Sequence, residues 1–265
     1  MVSIDTHALH AISWVDLATP NVDDAASFYA GLFGWTTFND GETPYTIFQS
    51  QDQPVAGAMA LPETGDIAPV WTIYVNVADA DATCAAASKA GGTVMQPAFD
   101  IPGGGRIAVI ADPSGAAIGL FEGMADNGSK VMGEIGAPAW FDCMTREVRK
   151  VRPFYEAIFG WTAKETPFDL LPYTTFFNDG VEVCGTMHQP PILSHGDPNQ
   201  WVTSFVVADT DQAAEYVKGN GGKVQIRPFD TPYGRSCSVG DPWGATLTLL
   251  DARGAKRGPL VGGSS

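Results

Sequence analysis

The chain is written twice. Trp14-x-Asp16, Phe28-Tyr29 and Phe33-Gly34-Trp35 return at an offset of 126 as Trp140-x-Asp142, Phe154-Tyr155 and Phe159-Gly160-Trp161. The repeat then runs to the end of each half. Tyr45, Phe48, Gly57 and Met59 return as Tyr173, Phe176, Gly185 and Met187. Trp71, Asp79, Asp81 and Gly91-Gly92 return as Trp201, Asp209, Asp211 and Gly221-Gly222. Phe99-Asp100, Arg106 and Asp112-Pro113-x-Gly115 return as Phe229-Asp230, Arg235 and Asp241-Pro242-x-Gly244. The offset drifts by a residue or two only between blocks, where loops tolerate insertion. A duplication of this kind allows only folds that can be built as two copies of one unit.

Each half divides again. In the first, Ala11 to Ala18 alternates as a strand, with Trp14 and Asp16 on one face. Thr19-Pro20-Asn21 opens a helix that Gly34 stops, and Asp23 and Asp24 sit in the first turn, where the helix dipole favours acids. Trp35 begins a strand, and Tyr45 to Ser50 and Val55 to Leu61 are two more. The plan repeats: a strand at Val70 to Val77, a helix at Asp79 to Ala90, and strands at Thr93 to Gln96, Arg106 to Ala111 and Ala116 to Glu122. The Asp112-Pro113-Ser114-Gly115 stretch is a turn signal. Gly103-Gly104-Gly105 reads as a hairpin loop. The chain is thus four β-α-β-β-β units, with domains at 1–125 and 135–251, a linker at 126–134, and a flexible tail at 252–265. In the second half Arg149, Lys150 and Arg152 crowd a helix start, an exposed and electrostatically unfavourable arrangement.

Composition excludes several classes. The 265 residues carry 15 Lys and Arg against 30 Asp and Glu, a formal charge of −15, which repels nucleic acid. The imbalance is concentrated early: residues 1–130 hold 3 basic against 15 acidic side chains. No apolar run reaches the roughly 20 residues of a membrane span, and the N-terminus lacks a basic and apolar leader, so the expected location is cytoplasmic. Cys84, Cys143, Cys184 and Cys237 form no CxxC pair and read as free, buried thiols.

These units, the Phe-Tyr-x3-Phe-Gly-Trp helix end and the Asp-Pro-x-Gly turn resemble the vicinal oxygen chelate superfamily, which includes glyoxalases, bleomycin-resistance proteins and extradiol dioxygenases. More specifically, the chain resembles the tandem glyoxalase-like proteins common in actinobacteria. The resemblance implies an α+β fold of two tandem domains, each of two βαβββ modules forming a curved, mostly antiparallel sheet around a concave pocket. It also implies a divalent metal on the pocket floor, held by His and Glu from first and last strands. The matching positions here are Trp14, Trp71, Gly119 and a site near Gly57, with Trp140, Trp201, Thr248 and Gly185 in the second half. None is a ligand, and an indole nitrogen is a donor only. No metal and no cofactor are therefore expected.

The pockets are expected to be aromatic, lined by Trp14, Trp71, Trp140 and Trp201. Asp16 and Asp142 share the face of the first-strand tryptophans, and each is expected to pair with an arginine, Arg106 or Arg235. Ile73 and Phe205, with Met59, Met187, Phe99 and Phe121, are expected to add apolar walls. Three readings stay open: a metal-free binding protein for a flat, partly apolar small molecule; a metal enzyme (lyase, dioxygenase or hydroxylase) using other ligands such as His188 or Glu122; and an interaction protein whose pockets are filled by its own side chains. The tandem chain is expected to be a monomer, a pseudo-dimer within itself, or a weak dimer.

Overall fold

A computed structural model describes residues 4–62, 67–102, 104–123, 128–165, 172–189, 198–251 and 253. The first half runs β1 (Ile12–Thr19), α1 (Val22–Phe33), β2 (Thr36–Phe38), β3 (Thr46–Ser50), β4 (Gln53–Ala60), β5 (Val70–Val77), α2 (Ala80–Lys89), β6 (Thr93–Asp100), β7 (Arg106–Ala111) and β8 (Ala117–Glu122). The second repeats it as β9 (Pro138–Thr145), α3 (Val148–Phe159), β10 (Thr162–Glu165), β11 (Tyr173–Asn178), β12 (Val181–His188), β13 (Gln200–Val206), α4 (Thr210–Gly219), β14 (Lys223–Thr231), β15 (Gly234–Gly240) and β16 (Thr246–Asp251). Each half is one eight-stranded sheet, in the order β2-β3-β4-β1-β5-β8-β7-β6 and its copy β10-β11-β12-β9-β13-β16-β15-β14. Among the described residues β1·β4, β5·β8, β9·β12 and β13·β16 pair in parallel, and the other ladders are antiparallel.

The helix signals act as expected. Asn21 caps α1 by accepting from the backbone N–H of Asp23 and Asp24, and Gly34 ends it at φ +74°. The left-handed turn there suits glycine alone among common residues at no steric cost. Helix α3 has no side-chain cap, and its basic start is offset locally by the ion pairs Lys150–Glu147 and Arg152–Glu156.

The halves are interlocked. Tyr29 on α1 donates to Asp241 Oδ2 in the opposite half (2.9 Å) and accepts from Trp71 Nε1 (3.0 Å). The second half mirrors this: Tyr155 donates to Asp112 Oδ2 (2.9 Å) and accepts from Trp201 Nε1 (2.9 Å). The two aspartates open the Asp-Pro-x-Gly turns and use Oδ1 to hold the turn backbone, leaving Oδ2 for the tyrosine across the interface. Trp35 donates to Gly136 O and Trp161 to His10 O, again across the halves. The sheets lie back to back through β5 and β13, and one hydrophobic core contains side chains of both halves. The repeated Phe-Tyr, Gly-Trp and Asp-Pro-x-Gly motifs are thus the joint between copies. The expected linker is part of it: Ser129 N–H donates to Ser13 O and Lys130 N–H to Pro54 O, and Val131 is buried. Residues 126–127 of that linker, and the expected tail apart from Arg253, lie outside the described residues. All four cysteines are free and buried.

Candidate functional site: a concave pocket that differs between the halves

The period of two along a strand decides which side chains meet in a pocket. On β1, Val15 and Leu17 face the shared core, while Trp14 and Asp16 face the outer, concave side of the sheet. There Trp14 Nε1 donates to Asp16 Oδ1 (2.8 Å) and to the Tyr45 hydroxyl (2.7 Å), and that hydroxyl donates to Asp16 Oδ1. The second half repeats the trio. Trp140 Nε1 donates to Asp142 Oδ1 (3.3 Å) and Tyr173 OH (2.6 Å), and Tyr173 OH donates to Asp142 Oδ1 (2.6 Å). Gly57 and Gly185 are glycine because a Cβ at either would collide with the hydroxyl of Tyr45 or Tyr173.

Burial sets the electrostatics. Loss of solvation raises both carboxyls from 3.8 to about 6, against the opposing hydrogen bonds from tyrosine and tryptophan. Burial, then the nearby carboxylate, pushes Tyr45 and Tyr173 well above the ordinary tyrosine value, so both remain donors.

Beyond the trio the halves part. In the first, Trp14, Tyr74 and Phe121 pack together under Ile47, Ile101 and Ile107, which closes the pocket with its own side chains. Five of these six positions change in the second half: Tyr74 to Ser204, Phe121 to Leu250, and the three isoleucines to Thr175, Thr231 and Ser236. The result is a cavity of about 130 Å³ whose floor holds Trp140, Asp142, Tyr173, Ser204 and Thr248. Met144, Met187, Ile226, Phe229 and Tyr233 form apolar walls and rim.

Several sequence-expected residues lie elsewhere. Trp71, Ile73, Trp201 and Phe205 point to the opposite face, into the shared core, because they are out of phase with Tyr74 and Ser204 on their strands. Trp71 and Phe205 face each other there, with ring centroids 5.2 Å apart. Arg106 and Arg235 do not reach the buried aspartates. Arg106 pairs with Asp81 and Asp100, and Arg235 with Asp211 and Asp230, all on the surface. Phe99 is 42% exposed at the sheet edge, and Met59 is partly buried on β4. His188 and Glu122 lie in different halves; His188 is exposed, and Glu122 caps α2 through the Ala80 N–H.

The residues present do not fit the family's metal. The concave positions on β13 and β16 are Ser204 and Thr248, the glycine on β12 is occupied by a tyrosine hydroxyl, and Trp140 can only donate. Among the described residues no three His, Cys, Asp or Glu side chains cluster as a metal site would require.

The model of the Glyoxalase/Bleomycin resistance protein/Dioxygenase superfamily matches residues 11–120 and again 138–249, and the chain belongs to that family. A Mycobacterium tuberculosis protein named as a candidate glyoxylase, CFP32, is 34% identical over 247 residues, covering 90% of this chain and 93% of that protein. The anthracycline biosynthesis protein DnrV of Streptomyces peucetius is 32% identical over 259 residues, covering 92% and 94%. Among solved structures, the Mn(II)-bound glyoxalase from Novosphingobium aromaticivorans superposes with a TM-score of 0.61 at 15% identity, covering 96% of this chain and 89% of that one, a likeness of fold.

Proposed function

We propose that this chain is a metal-independent small-molecule-binding protein, and that its ligand, flat and partly apolar, seats in the second-half cavity. The observation that carries this reading is the contrast between the copies. One duplicated pocket is packed shut by Tyr74 and three isoleucines, and its twin is left open at the same positions. An unfilled cavity forfeits dispersion contacts along its lining, so an open pocket beside a closed one is a feature a solely structural protein would be better without. Cavities of about 150 Å³ take up a benzene-sized ring. The likeness to proteins named for anthracycline biosynthesis supports a small organic ligand. The second reading, a metal-dependent lyase, dioxygenase or hydroxylase, draws support from the family alone, since the donor set at the pocket floor is one carboxylate with indole and phenol donors.

The test is a panel of flat aromatic compounds titrated into chelator-treated protein, read by tryptophan fluorescence and, for variants, by calorimetry. Trp140→Phe is expected to weaken binding at least tenfold, because it removes two hydrogen bonds and part of the floor, while Trp14→Phe leaves affinity unchanged. Equal effects of the two substitutions, or binding only after a metal is restored, would overturn the reading.

A further inference from the structure

The closed half shows what the open half lacks. Trp14, Tyr74 and Gly119 are direct neighbours on β1, β5 and β8; the equivalent row on β9, β13 and β16 is Trp140, Ser204 and Thr248. The Tyr74 ring lies so close to Gly119 that a Cβ there would overlap it. The two exchanges are therefore linked: a tyrosine on β5 demands a glycine on β8, and only after the tyrosine has gone can a threonine stand in that place. What the second half has lost is one phenol ring, held over the sheet beside a tryptophan. Burial first, and then the nearby Asp16 carboxylate, holds the Tyr74 phenol well above its ordinary value, so a protonated phenol stands beside that carboxylate.

Asp142 keeps its own two donors, and among the described residues both fall on Oδ1. It is partly exposed and lines the cavity, whereas Asp16 is buried at 7% exposure. A carboxylate that lines a cavity and is largely withdrawn from water gains from each further donor it can accept.

We propose that the second-half cavity takes a ligand bearing a phenolic hydroxyl, its ring beside Trp140 over the Ser204–Thr248 pair and its hydroxyl donated to Asp142. The side chain of Tyr74 is then the first half's built-in version of that ligand. This inference rests on the binding reading above, and names the chemistry the pocket selects. Thr231, Ser236 and Ser238 at the outer wall, in place of Ile101, Ile107 and Val109, give the far side of the ligand polar neighbours that the closed half denies.

The experiment uses the side chain itself as probe. p-Cresol, 4-methylanisole and toluene are titrated into the full chain and followed by saturation-transfer NMR and calorimetry. p-Cresol is expected to bind at one site per chain, about tenfold or more tighter than the other two, because only it can donate to a carboxylate. Ser204→Tyr combined with Thr248→Gly rebuilds the closed arrangement and is expected to abolish binding while the protein stays folded. Tyr74→Ser is expected to open a second site for p-cresol, and Asp142→Asn to lower the preference for the hydroxyl. If the three probes bind alike and the double variant blocks all of them, the phenol inference falls and the cavity reading stands. If none binds the wild-type protein, both fall. A hydroxyl preference that survives the double variant also overturns the inference, since it would arise elsewhere.

Discussion

Removing the Tyr29 hydroxyl tests the joint between the halves. Phenylalanine at 29 keeps the ring and its packing against Trp71, Trp35 and Phe33, whose centroids lie 5.4, 5.7 and 5.9 Å away. What goes is an oxygen that is fully buried and bonded on both sides. The bond to the Asp241 carboxylate is of the kind that contributes about 1.5–3 kcal/mol. The Trp71 N–H is left buried without its acceptor, a further cost of about 1–3 kcal/mol. Asp241 keeps three backbone donors on Oδ1, so its charge remains supported. The two costs overlap, and the expected loss for Tyr29→Phe is about 3 kcal/mol. Tyr155→Phe, bonded the same way to Asp112 and Trp201, is expected to match it. Urea unfolding followed by tryptophan fluorescence measures this directly, as a shift in midpoint at constant slope. A loss below about 1 kcal/mol in both variants would refute the claim that these tyrosines fasten the halves.

Three further outcomes follow from named contacts. Asp16 has a folded value of about 6 against 3.8 unfolded, so the folded state binds a proton more readily, and the penalty for its charge is absent below pH 3.8 and complete above 6. Asp16→Asn is therefore expected to gain on wild type by up to about 3 kcal/mol as the pH rises from 4 to 7, and a pH-independent difference in urea stability would contradict this. Arg235→Ala removes surface ion pairs only, so it is expected to cost under about 1 kcal/mol and to leave ligand affinity unchanged by calorimetry; a tenfold loss of affinity would place that arginine at the site after all. The back-to-back halves already bury against each other the faces that a second copy would otherwise cover. We propose a monomer, to be checked by sedimentation at micromolar concentration, where a tight dimer would be contrary.

Much of the fold could be read from the sequence because it rests on local signals that occur twice. Asn21 and Gly34 mark the ends of α1, alternation marks β1, and Asp112-Pro113-x-Gly115 marks the turn before β8. The fold's joint was less legible, since the same Phe-Tyr and Asp-Pro-x-Gly residues that signal helix and turn also meet across 212 and 43 positions of sequence. The site was legible in part. Trp14, Asp16, Trp140 and Asp142 share a face because they lie two apart on one strand. Position in the repeat puts Trp71 and Trp201 on that face, yet strand pairing sets their phase and turns them into the core. Chemical need alone pairs Arg106 and Arg235 with the pocket aspartates, and surface acids nearer in space take them instead.

The most telling residues, Tyr74 against Ser204 and Gly119 against Thr248, carry no repeat signal because the two copies disagree there. Agreement between the copies marks what the fold needs. Disagreement on a concave face, where one copy is large and apolar and the other small and polar, was the signal for the open pocket. It was present in the aligned halves, but only the register of β5 on β8 shows that the two exchanges touch.

The central claim is that one of two duplicated pockets is open and works without a metal. Equilibrium dialysis of p-cresol against chelator-treated protein, with and without added Mn(II), Fe(II), Ni(II) or Zn(II), tests it most directly. One bound molecule per chain is expected, unchanged by any of the metals. Binding that appears only with a metal, or two molecules per chain in the wild-type protein, would contradict it.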